Sequence, residues 1–117
     1  MLFLPVSAWQ QQKPVEPPEE DLDVREKEYA FNPLQAAREI TVGNFYFKKG
    51  NYRAAATRYE EAVKWDPANG DAYLKLAGAY EKVSEKERAR EVLAKFIEMV
   101  PDHKRVPEIR RKLGKTK

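Results

Sequence analysis

Cysteine is absent, histidine occurs once, and no apolar run approaches the ~20 residues of a bilayer crossing. Each absence removes a class of function. Without cysteine there is no disulfide framework, no thiolate metal site and no lipid-acceptor thiol, and the redox compartment cannot be read. A lone histidine, His103, directly after a helix-stopping proline and aspartate, reads as a solvated turn residue rather than a base or ligand. Five glycines are spread along the chain without forming a phosphate-cradling loop, and no cluster has metal-ligand spacing. Glu60-Glu61 and the pair Glu85 and Glu87 stand among basic residues at helix-surface spacing, as exposed ion pairs do. No catalytic constellation emerges, and neither an enzyme activity, a small-molecule substrate nor a cofactor is expected.

A strong charge bias is also missing from the body of the chain. The net charge of +3 conceals an asymmetry. Residues 1–35 carry three basic and seven acidic side chains, residues 36–102 twelve and eleven, and residues 103–117 seven and one. A near-neutral body argues against a whole-domain nucleic-acid face. The basic tail could contact phosphate, an acidic protein or anionic lipid, or simply be a solvated end.

What is present divides into parts. "MLFLPVSA", residues 1–8, places an apolar stretch before a Val6-Ser7-Ala8 cleavage-like site. It reads as the distal half of a truncated secretory signal, which implies an exported or periplasmic protein and a start codon upstream of Met1. If Met1 is a genuine start, the segment is too short to target anything and the location is cytoplasmic. Residues 9–28 are glutamine- and proline-rich, then acidic, and read as a flexible linker.

From Leu34 the apolar spacing becomes helical. "LQAAREITVGNFYFKKG" predicts a helix closed by Gly50. "YRAAATRYEEAVKWD" predicts a second, stopped by Pro67 and ending in a packed Trp65, and "DAYLKLAGAYEKV" a third. Ser84 and Glu87 have the spacing of a capping box for a fourth helix, stopped by Pro101. A short fifth helix is expected from about Val106 to Leu113, with Ile109 and Leu113 inward and Arg110, Arg111 and Lys112 outward.

Displacing the chain by 34 superposes Gly43 on Ala77, Tyr46 on Tyr80, Ala55 on Ala89, Tyr59 on Leu93 and Pro67 on Pro101. Small residues at these positions let paired helices approach, tyrosines fill the gaps, and the prolines reset direction. This 34-residue helix–turn–helix period resembles the tetratricopeptide repeat. The resemblance implies an all-α fold: an α-α superhelix of two hairpins, repeats about 36–69 and 70–103 within residues 29–103, plus a C-terminal capping helix and basic tail over 104–117. Two residues depart from the family pattern. Glu39 stands where a bulky residue is usual, so the first helix is expected to pack less tightly at its start. Phe96 stands where alanine is preferred, so the next element is expected not to dock as a regular repeat. Two repeats bury little core alone, so the cap helix, Tyr29 to Phe31 or a second chain must supply more.

The family lines a concave groove with the first helix of each hairpin, and that groove holds peptides or partner helices. The positions that fall there are Ile40, Thr41, Asn44, Phe47, Lys48, Leu74, Lys75, Gly78 and Lys82. Apolar anchors beside an amide and lysines suit an extended or helical peptide with acidic character. A subset of the family clamps a C-terminal carboxylate with basic residues and asparagines. Asn44 fits one such role, but Ile40 replaces the expected lysine and Lys75 the expected asparagine. The expected function is therefore a protein-binding scaffold, similar to exported repeat proteins of the bacterial envelope. A self-associating homodimer and a cytosolic adaptor with a basic tail are the alternatives.

Overall fold

The computed structural model describes residues 28–115, so the expected signal at 1–8 and nearly all of the linker at 9–28 lie outside the described residues. The described chain forms five helices: α1 (Pro33–Lys48), α2 (Tyr52–Trp65), α3 (Gly70–Lys82), α4 (Lys86–Met99) and α5 (Val106–Gly114). No strand occurs among the described residues. α1 packs on α2, α2 on α3, α3 on α4 and α4 on α5, the last interface being the smallest. Two helical hairpins and a terminal helix are thus stacked in chain order, as the all-α repeat reading expects.

Asparagine starts the first three helices. The Oδ1 atoms of Asn32, Asn51 and Asn69 accept from the backbone N–H of Gln35 at 3.0 Å, Ala54 at 3.2 Å and Ala72 at 3.2 Å. The first two satisfy N–H groups that the first turn leaves unpaired, and the Ala72 N–H is shared with Asn69 O at 3.1 Å. Pro33 follows Asn32 in the first turn of α1, where its missing N–H costs nothing.

The ends of α1 and α3 share a second device. After α1, Asn51 N–H donates to Tyr46 O at 2.9 Å and Gly50 N–H to Phe47 O at 3.0 Å. After α3, Glu85 N–H donates to Tyr80 O at 2.9 Å and Ser84 N–H to Glu81 O at 3.0 Å. Both are Schellman turns, which need a left-handed residue at their centre. Gly50 supplies it at φ 83°, and Ser84 supplies it at φ 62°. The capping box expected of Ser84 and Glu87 is therefore not formed. Ser84 closes α3 instead of opening α4. The N-cap of α4 is Glu85, which makes no side-chain cap bond. Its carboxylate instead meets Arg53 at 2.6 Å and Arg88 at 3.3 Å.

The core is built on alanine and tyrosine. Ala36, Ala55, Ala62, Ala72 and Ala79 are fully buried, and Tyr59, Tyr73 and Phe96 are the largest side chains enclosed with them. α1 and α2 approach closely at Gly43. A Cβ added to Gly43 would stand 2.4 Å from Tyr59 Cε1 and 2.7 Å from Cδ1. Gly43 thus faces the ring one turn beyond Ala55, and the volume withheld at residue 43 is returned at residue 59. In the second hairpin the same places hold Ala77 and Leu93, both buried in the main core.

Glu39 does not loosen α1 at its start. It is buried, accepts from Gln35 Nε2 at 3.0 Å and pairs with Arg58 of α2 at 3.3 Å. A polar bridge replaces the bulky contact. Phe96 fills the space between α3 and the following turn, with Tyr73 at 6.3 Å and His103 at 5.0 Å between ring centroids. His103 is accordingly half-buried and packed, not a freely solvated turn residue, and its Nδ1 accepts from Arg105 N–H at 3.0 Å. α5 then lays Val106 and Ile109 into the core and Leu113 at its edge, leaving Arg110, Arg111 and Lys112 exposed.

At the other end, Tyr29 covers Trp65 edge-on at 4.9 Å, and its hydroxyl donates to Glu61 Oε2 at 2.7 Å. Asn32 N–H donates to Trp65 O at 2.9 Å, which fixes this strap to the end of α2. Phe31 takes no part and is 69% exposed.

Two stability measurements check these assignments. Gly43→Ala should lower urea-unfolding stability by about 1–3 kcal/mol through overpacking, despite the better helix propensity of alanine. In that background Tyr59→Leu, which recreates the pairing of the second hairpin, should cost less than it does alone. Ser84→Gly should raise stability by about 0.5–1 kcal/mol, because relief of left-handed strain exceeds the added freedom of the unfolded chain.

Candidate peptide-binding groove

α1 and α3 stand side by side, and their facing turns border a hollow of about 470 Å³. It is lined by Thr41, Asn44, Phe45, Phe47 and Lys48 of α1, Lys75 and Gly78 of α3, and Tyr59 from α2 behind them. Six of the nine positions expected to face the groove are gathered here: Thr41, Asn44, Phe47, Lys48, Lys75 and Gly78. The other three lie elsewhere. Ile40 and Leu74 are half-buried and pack against the core. Leu74 also borders a smaller hollow of about 110 Å³ toward α5. Lys82 places its Nζ 5.7 Å from the centre of the Tyr52 ring, a cation–π arrangement.

Phe45 and Tyr59 line the hollow although they were not expected there. Phe45 stands four residues after Thr41, so helical spacing carried that signal. Tyr59 sits on a second helix, and its reach to the groove depends on the missing side chain at Gly43, through which the ring passes close to α1.

The polar groups of the hollow are mostly donors. The Tyr59 hydroxyl donates to Asn44 Oδ1 at 2.5 Å. This occupies the amide oxygen and leaves the Asn44 NH₂ to face outward partners. The Thr41 hydroxyl donates to Ala37 O at 3.2 Å. Lys48 and Lys75 add two ammonium groups that enter no ion pair among the described residues. The Phe47 ring is held edge-on by Tyr52 at 4.9 Å and the Phe45 ring by Tyr46 at 5.3 Å. The result is an apolar floor with amide and ammonium donors, which favours a ligand that supplies carboxylates or backbone carbonyls together with an apolar side chain.

The tyrosines of the core are held neutral. Burial, and secondarily the charge of Asp71, pushes the Tyr59 hydroxyl up to about 12. Tyr73 is raised by burial and then by Asp66 and Glu98. Tyr80 is raised by burial and then by Glu60, which accepts a hydrogen bond from its hydroxyl. Among the described residues no group of three His, Asp or Glu side chains could hold a metal ion. No helix among them is long and apolar enough to cross a membrane.

A tetratricopeptide repeat family model matches residues 46–113, more than half of the chain. The chain belongs to the tetratricopeptide repeat family. Its helices form a protein–protein interaction module of that family. It is 42% identical over 77 residues to Stress-induced-phosphoprotein 1 of Caenorhabditis elegans, covering 66% of this chain and 24% of that protein. It is 33% identical over 79 residues to Hsp70-Hsp90 organizing protein 3 of Arabidopsis thaliana, covering 68% of this chain and 14% of that protein. The chain therefore spans a quarter or less of the length of these relatives. They come from an animal and a plant, and neither supports the bacterial envelope affiliation or the export expected from residues 1–8.

Raised tyrosine values make one contribution to stability depend on alkaline pH. The folded state holds the Tyr59 proton more tightly than the unfolded chain, so this contribution to stability is full below about pH 10 and is lost as pH rises through about 12. Tyr59→Phe should flatten that fall, measured as the midpoint of urea unfolding against pH.

Proposed function

We propose that the α1–α3 groove holds an acidic, apolar-anchored segment of a partner protein, bound as an extended strand or a helix. One observation carries the reading. Phe45 and Phe47 stand beside Lys48 and Lys75 around a single hollow of a size that ligand pockets commonly have. The apolar floor excludes water around an anchoring side chain, and the lysines select against basic sequences. The name of the plant relative records organization of Hsp70 and Hsp90, which supports a protein rather than a metabolite as the guest. Ile40 and Lys75 depart from the carboxylate-clamping pattern. The proposed contacts are therefore with side-chain carboxylates along the segment rather than with a terminal carboxylate alone.

Titration of the full chain with a fluorescent leucine- and glutamate-containing peptide tests this reading. Binding should weaken at least about tenfold in Lys75→Glu and further with Phe47→Ala added. It should also fall as salt rises from about 50 mM to about 0.5 M. Circular dichroism of each variant reports whether the fold is retained. Equal binding by the folded Lys75→Glu variant and the wild type would refute the assignment.

A further inference from the structure

A second hollow, of about 370 Å³, lies away from the groove, where α3, α4 and α5 converge. Leu93, 3% exposed, forms its floor, and Leu113 in the last turn of α5 forms a wall. Glu81, Lys86, Arg90 and Lys112 surround them. The charges are not balanced. Glu81 is engaged by Lys112 at 3.0 Å across the α3–α5 junction. Lys86 and Arg90 enter no ion pair among the described residues. Arg90 is nevertheless held in position, because one guanidinium nitrogen donates to Leu113 O at 3.1 Å. The remaining guanidinium N–H groups are free to form a two-point contact with a carboxylate. Lys86 opens α4, whose first turn lacks a side-chain cap because Glu85 is drawn away by Arg53 and Arg88.

We propose that this hollow binds a small amphiphilic carboxylate, an alkyl or aryl chain ending in one anionic group. The chain lies on Leu93 and Leu113 and the methylene stems of the cations, and the head group meets Arg90 and Lys86. A volume of about 370 Å³ takes one such chain, not a helix ~10 Å across. The site is independent of the peptide groove, with which it shares no lining residue.

The test uses the full chain, ¹⁵N-labelled, and sodium decanoate below its micellar concentration. Decanoate should shift the amides of Lys86, Arg90 and Leu113, with saturation. Butyrate, which has the head without the chain, decanol, which has the chain without the charge, and decyltrimethylammonium should each bind at least about tenfold more weakly. Arg90→Gln retains a donor for Leu113 O and should lose decanoate affinity at least about tenfold, and Lys86→Gln by a smaller factor. Lys75→Glu should leave decanoate binding unchanged, which separates this site from the groove. Three outcomes would overturn the proposal: no saturable shift, shifts centred on Phe45 and Lys75, or folded Arg90→Gln and Lys86→Gln variants that bind decanoate as the wild type does.

Discussion

The absence of a side chain at Gly43 is the constraint on which the rest of the structure depends. It lets the Tyr59 ring lie against the α1 backbone, closer than any residue with a Cβ would allow. That approach sets the separation of α1 and α2 and brings the Tyr59 hydroxyl through to Asn44. It also makes a residue of the second helix part of the wall between α1 and α3. A glycine inside a helix costs about 1 kcal/mol relative to alanine, and here the gain is a buried ring with a satisfied hydroxyl.

Tyrosine recurs in this role throughout the stack. The Tyr73 hydroxyl donates to Pro67 O at 2.7 Å and ties α3 to the hinge that precedes it. The Tyr80 hydroxyl donates to Glu60 and links the two hairpins, while Arg88 lies over its ring at 5.2 Å. Tyr29 joins the entering chain to Glu61. In each case the ring packs against its neighbours and the hydroxyl finds an acceptor, so aromatic surface is covered without stranding a polar group. Trp65 is the exception, since its buried Nε1 has no acceptor among the described residues.

The hairpins were legible in the sequence because the 34-residue period reports on backbone spacing, and spacing is what small residues and prolines control. α4 begins and ends 34 residues after α2, and α3 ends 34 residues after α1. The misreadings share a different cause. Ser84 has the composition of a helix start, but its conformation is set by the Schellman turn that inherits the place of Gly50. Glu39 looked like a weakness because its partner, Arg58, is on another helix. His103 looked solvated because nothing local foretells the Phe96 ring beside it. In the groove, the expected positions on α1 and α3 came from the family resemblance, and six of them border the hollow, whereas Tyr59 required the geometry of a close helix crossing.

The contacts of this molecule run in a single file, each helix touching chiefly its neighbours in sequence. Such an arrangement has a graded rather than a uniform resistance to opening. α5 has the smallest interface, whereas α2 and α3 are each packed on two sides. The end of the file, and with it the hollow beneath Leu113, is therefore held less firmly than the middle.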